Sequence, residues 1–148
     1  MIRLEVKLLE DEAKLPTVTH PGEDLGYDVY ALEDTLLCYG NPKFVRTGIA
    51  ARAFGYSGQP LGLLVRDRSS MAKEGVYTHG GVIDAGYTGE ILINLSLNKG
   101  NEESARYIAQ GDKVAQLIPV HVLTGDVQQV YVFDETSRGD KGFGSSGR

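Results

Sequence analysis

Cysteine is nearly absent. The chain has one, Cys38, in 148 residues, so no disulfide can close within it. Set between Leu37 and Tyr39, it reads as a small packing residue rather than a nucleophile. No apolar run reaches the roughly 20 residues of a membrane span. The opening residues, Met1 to Lys7, alternate apolar and charged side chains and lack the apolar block of a secretory signal. One thiol and no export signal make a reducing cytoplasm the expected setting, with no membrane partner. Positive charge is also in deficit. Fifteen Lys and Arg against twenty Asp and Glu give a net charge of −5, which argues against a general nucleic-acid surface. A small anionic ligand stays open, since it needs only local positive charge and at most a metal ion. No internal repeat is evident.

What is present is the composition of one globular domain: 41% hydrophobic and 24% charged residues, enough for its own core. Ile2, Leu4, Val6 and Leu8 alternate with Arg3, Glu5 and Lys7, which predicts an amphipathic strand. Asp11 to Leu25, with two prolines, reads as a loop. Strands are expected at Tyr27 to Ala31, Thr35 to Tyr39, Lys43 to Phe54 with a break at Thr47-Gly48, and Leu61 to Arg66. Arg68 to Gly75 carries the helix signal, a serine cap at the start and Gly75 at the end. Thr78 to Asn98 reads as a β-hairpin or bent ribbon. Its tip holds Asp84 and Tyr87, and its second half alternates Ile91, Ile93, Leu95 and Leu97 with Glu90, Leu92, Asn94, Ser96 and Asn98. Further strands are expected at Ala105 to Ile108, Lys113 to Val120 and Val127 to Phe133. Many short strands and one short helix indicate an all-β barrel or sandwich. The last fifteen residues, Asp134 to Arg148, include four glycines and one large apolar side chain, Phe143. They read as a loose end or a flap, so residues 1–133 are taken as the domain and 134–148 as the flap.

Five stretches hold groups suited to a phosphate-bearing ligand. Gly26-Tyr27-Asp28 offers an acid that can hold metal-bound water, orient an arginine, or simply end a turn. Arg68-Ser69-Ser70 opens the helix, where free N–H groups favour an anion; plain capping is the alternative. The ribbon offers Asp84 and Tyr87. Gln116, a polar residue inside the apolar run Gly111 to Ile118, needs a partner: backbone, or a phosphate oxygen and a water. In the tail, glycines let backbone N–H groups curl round phosphate oxygens, Arg138, Ser145 and Ser146 add donors, and Phe143 offers a face for a base.

Taken in order, the five stretches resemble the motifs of the trimeric dUTPases. Gly26-Tyr27-Asp28-Val29 is similar to the first motif, Arg68-Ser69-Ser70-Met71-Ala72 to the second, and Gly81 through Glu90 to the third. Gly111 through Ile118 is similar to the fourth and Arg138 through Gly147 to the fifth. The resemblance implies a distorted jelly-roll β-barrel that assembles as a homotrimer, with each active site shared between subunits. It implies hydrolysis of dUTP to dUMP and pyrophosphate, which keeps uracil out of DNA and supplies dUMP for thymidylate synthesis. Asp84 would be the general base for in-line water attack at the α-phosphate. Thr78, Gly81, Val82 and Ile83 would read uracil through backbone groups. Tyr87 would pack under the deoxyribose and Phe143 over the base. Arg68, Ser69, Ser70 and Gln116 would hold the phosphates, with Arg138, Ser145 and Ser146 at the γ end. Mg²⁺ would be bound through phosphates and water with no direct protein ligand, Asp28 acting through those waters. Gln116 and Asp28 would thereby join Asp84 in the catalytic set.

Two residues depart from the family pattern. Leu25 precedes Gly26 where a small residue is usual, and Gly86 stands where many dUTPases have Asp. The string Asp84-Ala85-Gly86-Tyr87 leans toward the related dCTP deaminases, so a deaminase or bifunctional enzyme is one alternative. A non-catalytic nucleotide-binding relative is another. Counted from the shared Gly-aromatic-x-Gly turn, the deaminases' catalytic Glu falls at Asn94. An amide cannot shuttle the protons, which argues against deamination.

Overall fold

The computed structural model describes residues 1–144, 146 and 147. Eleven strands and one helix form in chain order: β1 (Arg3–Leu8), β2 (Tyr27–Tyr30), β3 (Thr35–Cys38), β4 (Lys43–Arg46), β5 (Ile49–Phe54), β6 (Pro60–Arg66), α1 (Ser69–Lys73), β7 (Val76–His79), β8 (Val82–Ile83), β9 (Leu92–Leu97), β10 (Ala105–Ile108) and β11 (Lys113–His121). One sheet runs β1-β5-β6-β11-β2, with β8 added to β6. A second sheet is β4-β9-β7, and β3 pairs with β10. The sheets close around one core drawn from all of them, including Val29, Leu37, Val45, Ile49, Leu63, Ile93, Leu95, Ile108 and Leu117. The fold is an all-β, jelly-roll-like barrel with one short helix. Among the described residues, no helix is long and apolar enough to cross a membrane.

Period-two patterning places β9: Ile91, Ile93, Leu95 and Leu97 are all buried while Leu92 is exposed. The break at Thr47-Gly48 is a crossing between sheets. β4 pairs with β9, and after the break β5 pairs with β1. The corner is secured by Thr47 Oγ1 donating to Ile91 O at 2.6 Å and Ile91 N donating to Ile49 O at 2.8 Å. Thr47 is thus a buried polar side chain with its bond made.

The Thr78–Asn98 ribbon differs from a simple hairpin. Its first arm splits at Gly80-Gly81. Val76–His79 pairs with β9, whereas Val82 and Ile83 pair with Leu64 and Leu63 of β6. Glycine is required at the split. Gly81 has φ +83°, and a Cβ there would lie 2.8 Å from Val65 O. That closeness is what lets Val65 N donate to Gly81 O at 2.7 Å. Gly81→Ala combines a left-handed backbone with a backbone clash, so we expect a loss of about 2 kcal/mol or more, read as a fall in the urea midpoint. Gly80→Ala is the control: φ is +67° but open space surrounds the site, so the clash part of the loss should vanish.

Three other expectations are corrected. α1 has Arg68, not a serine, at its N-cap, and no side chain caps it; Ser69 and Ser70 fall inside the first turn. Gly75 ends the helix as expected, with φ +82°. Leu8 is 45% exposed, so the half-buried face of β1 comprises Ile2, Leu4 and Val6 only. Val127 to Phe133 forms no strand. Val127, Tyr131, Val132 and Phe133 are all exposed, and no described strand pairs with them. Apolar alternation alone cannot make a strand that has no neighbour to bond.

Candidate functional site

Strand order brings three of the five motifs together. β11 lies between β6 and β2, and Gln116 sits opposite both Asp28 and Arg66. At this junction Asp28 takes two cations. Arg68 Nε donates to its Oδ1 at 3.2 Å, and Lys113 Nζ lies 2.9 Å from its Oδ2. The Asp28 carboxylate holds the Lys113 ammonium above its usual pKa, first through that hydrogen bond and then through its charge. Arg68 Nη1 also donates to Ser70 Oγ at 3.3 Å and to Lys113 O at 3.4 Å. Ser69 is exposed beside them. Arg68, Ser70 and Lys113 line a cleft of about 340 Å³ together with Met71, Glu74, Arg106, Gly111 and Asp112.

Gln116 finds a backbone partner: its Nε2 donates to Asp67 O at 2.9 Å. The same amide lies where a side chain on Gly26 would stand, so Gly26 is the residue that admits it. Leu25 stays outside the core. It is 77% exposed and lines an apolar cleft with Tyr27, Tyr56 and Pro119.

The ribbon turn forms a separate cleft of about 270 Å³, lined by Phe44, Val82, Ile83, Asp84, Tyr87, Glu90, Ile91 and Leu92. It has no lining residue in common with the first. The turn closes through Tyr87 N donating to Asp84 O at 3.0 Å, and Tyr87 donates its hydroxyl to Glu90 O at 2.8 Å. The Glu90 carboxylate is anchored in turn. It accepts from Arg46 Nη2 at 3.0 Å and from Gly48 N at 3.1 Å, which ties the ribbon base to the corner between β4 and β5. Glu90 and Glu10 both hold Arg46 well above its ordinary range. Asn94 lies farther up β9, opposite Phe44 and His79. Among the described residues its Oδ1 is buried without a partner.

Among the described residues, none of the tail lines either cleft. Arg138 Nε donates to Lys141 O at 2.9 Å, and Gly139 N donates to Thr136 Oγ1 at 3.0 Å. Phe143 is fully exposed. Ser146 is exposed as well, and Ser145 lies outside the described residues.

Two residues not singled out in sequence knit the site. Lys113 is the second cation on Asp28. Asp67 accepts from both Thr78 N (2.6 Å) and Thr78 Oγ1 (2.7 Å) on one carboxylate oxygen, while its carbonyl takes Gln116. It therefore joins the second and fourth motifs to the first arm of the ribbon. Its position next to Arg68 was the one available signal. Asp28→Asn should lower the Lys113 pKa toward an ordinary ammonium, measurable by NMR titration of the lysine side chain. By linkage, the stability gained from this shift is present below the unfolded value of about 10.5 and is lost as pH rises through the folded one. The variant's deficit against wild type should accordingly shrink in strong alkali.

Two charged clefts on one jelly-roll barrel, one lined by Arg68, Arg106 and Lys113 and one carrying a carboxylate beside a phenol, make a barrel equipped for a phosphate-bearing ligand. The dUTPase family model matches residues 11–147. The chain is 38% identical to the deoxyuridine 5'-triphosphate nucleotidohydrolase of Corynebacterium glutamicum, covering 98% of this chain and 95% of that one. It is 39% identical to the enzyme of the same name from Mycobacterium tuberculosis, covering 97% and 94%. Among solved structures, a mutant Staphylococcus bacteriophage 80alpha dUTPase with dUpNHpp superposes with a TM-score of 0.86 at 27% identity, over 99% of both chains. A phage phi11 dUTPase mutant, solved with a structural Mg(II) ion, gives 0.77 at 26% identity, over 88% of this chain and 98% of that one. The chain belongs to the dUTPase family, the dUTP diphosphatases.

Proposed function

We propose that the chain hydrolyses dUTP to dUMP and pyrophosphate, with a water held by Asp84 attacking the α-phosphate in line. The observation that carries this reading is the exposed Asp84 carboxylate on a closed turn beside Tyr87 and the backbone of residues 81–83. Backbone groups in fixed order can accept uracil and reject cytosine, because the wrong pairing leaves buried polar groups unsatisfied. Tyr87, held on Glu90 O, is set to pack under a deoxyribose. Asp84 accepts the water's proton as attack proceeds.

Arg68, Ser69, Ser70 and Gln116 hold the phosphates at the other cleft. The two clefts share no lining residue, and among the described residues the tail's side-chain hydrogen bonds stay within it. Both observations support a homotrimer whose sites combine Asp84 and Tyr87 of one subunit with the Arg68–Lys113 cleft of another. Residues 134–148 then act as a flap that closes over the occupied site. Arg138, Ser145 and Ser146 meet the γ-phosphate end while Phe143 covers the uracil and excludes water.

Asp28 fits a Mg²⁺ bound through phosphates and water. Each of its oxygens takes one cationic donor and keeps capacity for a hydrogen bond from a metal-bound water. Magnesium bound across the phosphates would supply charge neutralisation there. Such an enzyme keeps uracil out of DNA and supplies dUMP for thymidylate synthesis.

The test is a product-resolved assay with Mg²⁺ and each deoxynucleoside triphosphate. Pyrophosphate from dUTP with no ammonia from dCTP is the expected result. Ammonia from dCTP would overturn the reading of Asn94, and no product from either would overturn hydrolysis.

A further inference from the structure

The turn that carries Asp84 begins where ladder pairing between β8 and β6 ends, at Ile83. At its centre are Ala85 and Gly86, and the glycine gives the backbone little stiffness of its own. Among the described residues, two side chains tie the turn to the barrel. One is Tyr87, which belongs to the turn and bonds Glu90 O. The other is Arg52, whose Nε donates to Ala85 O at 3.1 Å.

Arg52 is itself well held. It stands in β5 between Ala51 and Ala53, which are 4% and 1% exposed, so its backbone is fixed in the core sheet. Its guanidinium lies over the Phe54 ring, 4.8 Å from the centroid, an arrangement that restrains the head group while leaving Nε to donate. Nothing in the proposed chemistry uses this residue.

We propose that Arg52 is a positioning residue for Asp84, acting by clamping the carbonyl of Ala85, the next residue in the turn. The inference rests on Asp84 as the base. The clamp acts on a carbonyl and touches neither the carboxylate nor the space beside it. Residues 81–83 are held independently, by β6 and by the Val65 N to Gly81 O bond. Loosening the turn therefore leaves base recognition intact and spreads the carboxylate over a wider range of positions. A misplacement on the order of 1 Å at a reacting group can cost ~10²-fold in rate, and a partial loosening costs less. The loss falls on kcat rather than on KM, as for an interaction that matters only at the transition state.

Steady-state kinetics on dUTP with Arg52→Met, Arg52→Gln and Arg52→Lys, beside wild type and Asp84→Asn, tests this. Arg52→Met should lower kcat roughly tenfold with KM within about twofold. Arg52→Lys, whose ammonium can donate to the same carbonyl, should recover most of the loss. Circular dichroism checks folding, and Arg52→Gln keeps the test open if the methionine variant does not fold. Wild-type kcat in the folded variant, or a loss carried by KM, would overturn the proposal. A wild type that releases no pyrophosphate, or an Asp84→Asn enzyme at full speed, would instead overturn the site on which it rests.

Discussion

Asparagine at position 84 is expected to leave dUTP bound and to slow turnover by about 10²- to 10⁴-fold, the usual share of a positioned general base. The substitution is close to isosteric, and the geometry explains why it should not disturb the fold. The turn closes through backbone atoms, Tyr87 N to Asp84 O. Its two tethers run from Arg52 to Ala85 O and from Tyr87 to Glu90 O. None of these uses the carboxylate, which is exposed. An amide oxygen can still accept a hydrogen bond from the water, so substrate and water both keep their places. It cannot take the proton that must leave as the new P–O bond forms. The expected signature is a large fall in kcat with a near-normal dissociation constant for a non-hydrolysable dUTP analogue, measured by titration calorimetry. Near-normal kcat would remove Asp84 as the base, and a lost affinity would make it a binding residue instead.

Local patterning made much of this molecule legible. Ile91, Ile93, Leu95 and Leu97 announce β9 because a strand with one buried face must alternate. Thr47-Gly48 announces a break because a left-handed glycine interrupts a ladder. What local patterning cannot carry is the identity of the partner across the sheet. Nothing in Val82-Ile83 says that it leaves β9's sheet for β6. That choice depends on Gly81 approaching Val65 on β6, a contact between segments far enough apart in sequence that periodicity is silent about it. Val127 to Phe133 is the converse case: a strand-like composition with no strand to pair with among the described residues.

The site divides along the same line. Asp84, Tyr87, Arg68 and Gln116 could be named because each sits inside a compact motif. Asp67 and Lys113 matter through contacts made across strands, with Thr78, Gln116 and Asp28. Arg52 and Glu90 act on the ribbon from its flank and base. Such roles come from strand order. The helix cap shows the limit at shorter range: Ser69 and Ser70 satisfy a capping rule, yet Arg68 holds the position and no side chain caps the helix.

Truncation after Phe133 is expected to leave a folded, assembled barrel with little activity. The residues removed make no described contact with the core: Arg138 and Gly139 bond within the tail, and Phe143 is fully exposed. The thermal midpoint should barely move, and sedimentation should report the same assembly as the full-length chain. Activity should fall sharply, since the flap's donors and its aromatic cover go together. The stronger test combines two inactive chains. Chains lacking the tail keep Asp84, and Asp84→Asn chains keep the tail. If one site draws Asp84 from one subunit and the flap from another, co-refolding the two in equal amounts should restore activity to roughly a quarter of the wild-type level, the random-mixing share. If each flap served the Asp84 of its own chain, no mixed site would hold both groups and the mixture would stay inactive. A dead mixture with an intact trimer would therefore place flap and base on one chain, and a truncated chain that fails to assemble would show that the tail is part of the interface rather than a flap.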